Sequence, residues 1–496
     1  MTSISDRSAS GPAAVRQPNP WWIAVIAGMA SFIDAGAIVA TGTALVLFQD
    51  GLGVSAAQIG QFSALLTLTI AIGAFTGGRL GDRFGRRRVF TVTLIVFAIG
   101  AALSAMAWDP AVLYVSLALL GFGAGADLPV SMAMIAESAP DDKRGKMITF
   151  SHVLWMLGIL AIIVMGIFVG GMGTTGGRIL YAFLAVVAVI VLVLRITLPE
   201  SAKWRAAHDR RTTAIEVAAA QGTTAEADPG AIRSLFRAPV LVPLIAVGLF
   251  YALVNIAANT NGQFSTYLYV NVAGSDVSTA SALSLIAFGV SLVGMLTLMR
   301  LVDTRWRMRA FAIGAVFVLA AMAVPAIFGV TLFTLVLNGV LFAIGGAIAG
   351  EPMFKVWAQE LFSTLARSGA QGVMIAFTRV IAAAVALVTP AIIAAGPQAL
   401  YWFLFATSGV ALAMGAFWIA RMPRADLAEE ADAGAEASAP EASVAEACIT
   451  EACITEAGIT EADVTEADVT EASVAGGAAS GSGASAAPGT AGTTVR

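Results

Sequence analysis

The chain has 496 residues, 58% of them hydrophobic and only 12% charged, with a mean hydropathy of +0.84. A soluble domain carries about 25% charged residues, so this composition excludes a soluble globular protein and implies a polytopic α-helical membrane protein. The net charge of −4 conceals a division: residues 421–496 hold 14 acidic and 3 basic side chains, leaving 18 acidic and 25 basic in the remainder. A transmembrane β-barrel is also excluded, because no alternating strands of about ten residues are visible.

In chain order, a polar segment, 1–20, precedes twelve apolar runs. These lie at 21–48, 59–77, 89–107, 111–136, 147–169, 179–198, 240–270, 279–298, 310–328, 332–353, 372–395 and 400–420. Each is long enough to cross a bilayer as a helix. The first run is longer than a signal-peptide core, so no cleaved signal is expected. A polar loop, 199–238, separates the half 21–198 from the half 239–420. The tail, 421–496, carries Glu at 446, 451, 456, 461, 466 and 471. A period of five makes no apolar stripe on a helix, so the tail reads as a disordered acidic segment, with a docking module as the other reading.

Lys and Arg placement sets the expected topology. One set of connectors carries residues 79–88, Lys143, Arg144, Lys146, Lys203, Arg300, Arg305, Lys355 and Arg367; the other set carries only Arg178. Both termini therefore belong in the cytoplasm, and the chain is expected in the cytoplasmic membrane as a multi-pass protein. These basic groups need no nucleic acid to explain them. Both cysteines, Cys448 and Cys453, lie in the tail, and His152 and His208 are too few for a metal site. No Gly-Lys-Ser/Thr phosphate loop is present, so neither nucleotide drive nor a cofactor is expected.

The connector between the second and third runs reads Gly78-Arg79-Leu80-Gly81-Asp82-Arg83-Phe84-Gly85-Arg86-Arg87-Arg88. This pattern closely resembles the loop between helices 2 and 3 of the major facilitator superfamily. The start of the central loop, Pro199-Glu200-Ser201-Ala202-Lys203, partly resembles the Pro-Glu-Ser-Pro-Arg signature of sugar porters. The two halves also echo each other. Asp82 recurs as Asp303 after 221 residues, each with Arg four places on; Glu137 and Arg144 recur as Glu360 and Arg367 after 223, as Pro129 does in Pro352. Parallel six-helix repeats are a feature of that superfamily. The resemblance covers about residues 21–421 and implies an all-α membrane protein, with twelve transmembrane helices in two six-helix bundles around a midplane cavity.

Candidate site residues fall into three groups. A carboxylate at mid-membrane costs about 2.5–3.5 kcal/mol, so Asp34 in the first run and Asp127 in the fourth require a reason, and both are candidates for proton coupling. Sugar porters carry an Asp in helix 1, which takes the proton in proton-coupled members; Asp34 keeps that Asp without the Tyr that precedes it there. Asn255, Asn259 and Gln263 make the seventh run amide-rich, and amides suit hydroxyl groups because each both donates and accepts. With Trp155, Glu351 and Arg379 they form the expected solute set. Glu351 and Lys355, four apart, can pair on one face. They stand where sugar porters have a Gly and a sugar-stacking Trp. An intramolecular partner such as Glu351 is expected for Arg379, with a solute carboxylate as the alternative. Asp82, Arg83, Arg86, Glu137, Arg144, Glu200, Asp303, Glu360 and Arg367 form an expected cytoplasmic charge network that pairs in one state of the transport cycle.

The resemblance implies secondary active transport of a small polar solute, a sugar or polyol, by alternating access with proton symport. An organic anion and a transporter-like nutrient sensor are the alternatives. The expected partners are the solute, protons and the lipid bilayer, with the chain acting as a monomer and not as an enzyme.

Overall fold

The computed structural model describes residues 19–140, 143–201, 204–205, 240–301, 304–362 and 364–423. Asp303 and the tail beyond residue 423 lie outside the described residues, as do the side chains of Asp82, Arg144 and Arg367. The first half contains α1 (Pro20–Leu52), α2 (Ala56–Phe84), α3 (Arg86–Ala105), α4 (Pro110–Ser138), α5 (Arg144–Val169) and α6 (Thr174–Ile196). The second contains α7 (Leu241–Tyr267), α8 (Val277–Leu301), α9 (Arg307–Phe328), α10 (Leu332–Ala349), α11 (Glu351–Glu360), α12 (Thr364–Ala395) and α13 (Pro397–Phe417). With α10 and α11 taken as one span, the described residues supply twelve spans of membrane-crossing length and hydropathy.

Local chemistry sets the helix starts. Asn19 caps α1 ahead of Pro20, Asp109 caps α4 ahead of Pro110, and Ser55 with Gln58 forms a capping box on α2. Gly85, at φ 98°, makes the tight turn between α2 and α3. The tenth apolar run is not one helix. It breaks at Gly350 (φ −93°, ψ −134°), and Pro352 sits in the first turn of α11, where a residue lacking an N–H costs nothing.

Within the first half, α4 packs on α2 and α3, and α1 packs on α4, α5 and α6. Lipid offers no hydrophobic drive between helices, so small residues that allow close approach hold them together. A Cβ at Gly77 would lie 2.3 Å from the Ala126 carbonyl oxygen, so α2 and α4 touch backbone to backbone. In the second half, α10 packs on α8 and α9, and α7 on α12 and α13. The halves meet through α1 with α7, α2 with α12, and α5 with α8.

Those inter-half contacts lie toward the membrane face opposite the basic connectors. Gly60 abuts Pro390, Gly42 abuts the backbone of Gln263, and Gly166 and Gly170 abut Ser281 and Ser278. Asn271 donates to Gln49 at 2.8 Å on the same side, and Thr43 and Thr266 approach within 3.4 Å.

Candidate functional site

A cavity of about 380 Å³ lies between the halves. From α1 it receives Val39 and Thr43, and from α5 His152, Trp155 and Met156. From α7 come Asn261, Ser265 and Thr266; from α8, Ser281, Ser284 and Ser291; from α10 and α11, Asn338, Glu351 and Lys355. Hydroxyls and amides thus face the space from both halves, while Val39, Ile159 and Phe342 supply apolar wall. The His152 and Trp155 rings stack nearly parallel, 6° apart in plane with centroids 5.5 Å apart.

Asp34 lies behind this wall, only 1% exposed. Its Oδ1 has no hydrogen-bond partner, and the charges of Arg379 and Glu351 act on it. Glu351 and Lys355 form the expected pair at 2.9 Å, with side chains 37% and 50% exposed. Arg379 departs from expectation: among the described residues it has no hydrogen bond or ion pair, because Glu351 is already held by Lys355 one turn along the same helix. A membrane cation lacking a contact partner is costly, so Arg379 stands as a field acting on Asp34, Glu351 and Tyr251.

The amide set requires correction. Residues 261, 262, 265 and 266 of α7 face the cavity, whereas Asn255, Asn259 and Gln263 do not line it. Gln263 donates instead to Thr67 of α2 at 2.9 Å and to Asn259 at 3.0 Å, so these amides fasten α7 to the first half. The helical period explains the swap: a shift of two positions turns a side chain about 200° around the axis.

Asp127 also requires correction. Arg195 of α6 grips it through two bonds, at 2.5 and 2.7 Å, and Thr93 of α3 donates to it at 3.2 Å. The same guanidinium donates to the Phe90 carbonyl oxygen and lies over the Phe90 ring, 3.5 Å from its centroid. Arg195 is fully buried. A carboxylate whose lone pairs are taken by a bidentate Arg and a hydroxyl ties α3, α4 and α6 together. Arg195 was legible as a cation inside the sixth apolar run, which requires a counter-charge on a neighbouring helix.

Among the described residues, each half holds one ion pair at its basic-connector end. Arg86 pairs with Glu137 at 3.2 Å, and Arg307 pairs with Glu360 at 2.5 Å. The two pairs are repeats of one another, since Arg307 follows Arg86 by 221 residues and Glu360 follows Glu137 by 223. Glu200 accepts from the Arg87 backbone N–H at 3.1 Å, while Arg83 is exposed beside the Phe84 ring. Among the described residues, no ion pair joins one half to the other.

Twelve apolar spans, two repeated halves and a polar cavity between them define a membrane transporter of the two-bundle class. The sequence profile of the Major Facilitator Superfamily matches residues 24–366, and the chain belongs to that superfamily. It is accordingly a transporter and not an enzyme. Among its relatives, the minor myo-inositol transporter IolF of Bacillus subtilis (strain 168) is 30% identical over 379 residues, covering 74% of this chain and 83% of that protein. The arabinose-proton symporter of the same organism is 24% identical over 359 residues, covering 66% and 74%. Among solved structures, a D-xylose-proton symporter matches with a TM-score of 0.65 at 19% identity, covering 79% of this chain and 97% of that one. The inward open form of the xylose transporter XylE from E. coli also matches at 0.65, with 18% identity and coverage of 82% and 97%. At these identities the structural matches speak to the fold alone.

Proposed function

We propose that this protein carries a cyclic polyol or sugar across the cytoplasmic membrane, coupled to protons, as a monomer with both termini in the cytoplasm. One observation carries the reading: hydroxyls and amides from both halves converge on one cavity of solute size. Thr43, Asn261, Ser281, Ser284 and Asn338 each can both donate and accept, which matches the vicinal hydroxyls of a polyol. The names of the relatives, a myo-inositol transporter and an arabinose-proton symporter, support the same solute class.

In this reading the described conformation faces the cytoplasm. The inter-half contacts seal the opposite face, and Glu351 and Lys355 form the exposed end of the cavity. Asp34 exchanges the driving proton. Asp82, Arg86, Glu137, Arg144 and Glu200, with Asp303, Arg307, Glu360 and Arg367, lock the cytoplasmic side in the opposite state.

The test is uptake of radiolabelled myo-inositol into proteoliposomes with an imposed pH gradient, against unlabelled pentoses, hexoses and carboxylates as competitors. Uptake above the gradient-free level, reduced by polyols or sugars and not by carboxylates, is expected. Uptake blocked only by carboxylates would overturn the solute class.

A further inference from the structure

Pro325 lies inside α9 and lacks the N–H that the helix would donate to the carbonyl of Ala321, four residues before. Ala321 is fully buried, so no water can take the place of that donor. A side chain does so instead: Asn338 of α10 donates its Nδ2 to the Ala321 carbonyl oxygen at 2.8 Å. The helices are close enough for this because α10 presents a glycine to α9. A Cβ at Gly345 would lie 2.6 Å from the Val318 nitrogen and 2.7 Å from the Gly314 carbonyl oxygen. Asn338 also lines the solute cavity, on the face of α10 that carries Leu335, Phe342 and Gly346. Its amide has one permitted orientation. A carbonyl oxygen accepts and cannot donate, so reversing the amide would set Oδ1 against the Ala321 oxygen and leave both without a donor. Asn261 differs. It donates its Nδ2 to Ala257 at 3.0 Å, but that carbonyl has the N–H of its own helix as well, so nothing is orphaned when Asn261 turns.

We propose that Asn338 is a specificity-determining residue of the solute site and Pro325 its positioning residue: the carbonyl freed by Pro325 locks the amide with its acceptor, Oδ1, toward the cavity. The α10 wall then demands a hydrogen-bond donor from the solute. The hydroxyls of Ser281 and Ser284 rotate to suit a donor or an acceptor, and an unanchored amide can flip. A locked amide can do neither. The site accepts a hydroxyl at the ring position that meets α10 and rejects a ketone oxygen there, which has similar size but only accepts. The inference rests on the polyol reading above and adds to it the polarity that the solute must present to one wall.

The selectivity is read by counterflow of radiolabelled myo-inositol in proteoliposomes, competed by the series of inositols in which one hydroxyl is oxidised to a ketone. Wild type is expected to bind one member of the series about tenfold more weakly than myo-inositol, the worth of one hydrogen bond. Pro325→Ala returns an N–H to the Ala321 carbonyl and frees the amide to turn. Its discrimination at that ring position is expected to fall severalfold relative to myo-inositol, whereas a merely structural role for Pro325 would weaken all competitors alike and leave the ratio unmoved. Asn338→Ala is expected to lose the discrimination at the same ring position, and it serves alone where Pro325→Ala does not fold. The lock itself is read without solute, from thermal midpoints in detergent. Asn338→Ala orphans the Ala321 carbonyl in the wild-type background but not in Pro325→Ala, so its loss of midpoint is expected to be clearly smaller in the latter. Additive losses would overturn the lock. A ketone discrimination that survives in either variant, or wild type that takes every ketone as well as myo-inositol, would overturn the selectivity drawn from it. Wild type inhibited by carboxylates alone would instead defeat the polyol reading itself.

Discussion

Two acidic side chains with the same sequence appearance, Asp34 and Asp127, have opposite surroundings. Asp127 is saturated by Arg195 and Thr93, whereas Asp34 retains an unbonded oxygen beside the solute cavity. Removing one partner of a buried pair leaves the other charge uncompensated and costs about 3–5 kcal/mol. Arg195→Met is therefore expected to lower the thermal midpoint in detergent sharply, and the double variant Asp127→Asn with Arg195→Met to recover much of the loss. Any surviving Asp127 variant should accumulate solute with an unchanged response to the pH gradient. Asp34→Asn should do the reverse: it should keep its thermal midpoint and counterflow and lose gradient-driven accumulation. Continued accumulation by that variant would remove Asp34 from the proton path.

At the scale of helices, the seal between the halves is made of small residues and hydroxyls. A Cβ placed at Gly166 would lie 2.4 Å from Ser281 Oγ, and one at Gly60 would lie 2.8 Å from Pro390. Gly166→Leu is therefore expected to wedge α5 from α8 and favour the state open to the opposite face. A reporter cysteine at Ser265 should then be labelled faster by an impermeant reagent from that face; an unchanged rate would show that the seal tolerates the added bulk. The repeated ion pairs have the complementary task in our reading. Glu137→Gln and Glu360→Gln should each slow transport while leaving membrane insertion intact, as judged by uptake at matched expression.

For the whole molecule, orientation is the first quantity to test. In a background with Cys448 and Cys453 replaced by Ser, a cysteine at Gly171 is expected to react with an impermeant reagent applied outside intact cells. Gly171 suits this because a side chain there meets nothing within 4 Å, whereas one at Gly51 would collide with Thr174. A cysteine at Ala207 should react only after permeabilisation. The reverse pattern would invert the topology and move the exposed Glu351–Lys355 end of the cavity to the outside.

Hydrophobic length and charge segregation are local or statistical properties of the chain, and so the twelve spans and the superfamily were legible in the sequence. The repeated Glu–Arg spacing even placed Glu137 and Glu360 as equivalents, and in space each pairs with the equivalent Arg, 86 or 307. Which face of each helix turns inward was not legible. Helices hydrophobic all around give no stripe to orient them, so Asn261 and Ser265 could not be separated from Asn259 and Gln263 until α7 had packed against α1, α12 and α13. Ionic partners were equally hidden, because Asp127 and Arg195 lie 68 residues apart and meet only because α4 and α6 both pack on α3. The same holds for α1 and α5, whose approach depends on glycines that let them touch, because backbone proximity between distant helices exists only in the folded molecule.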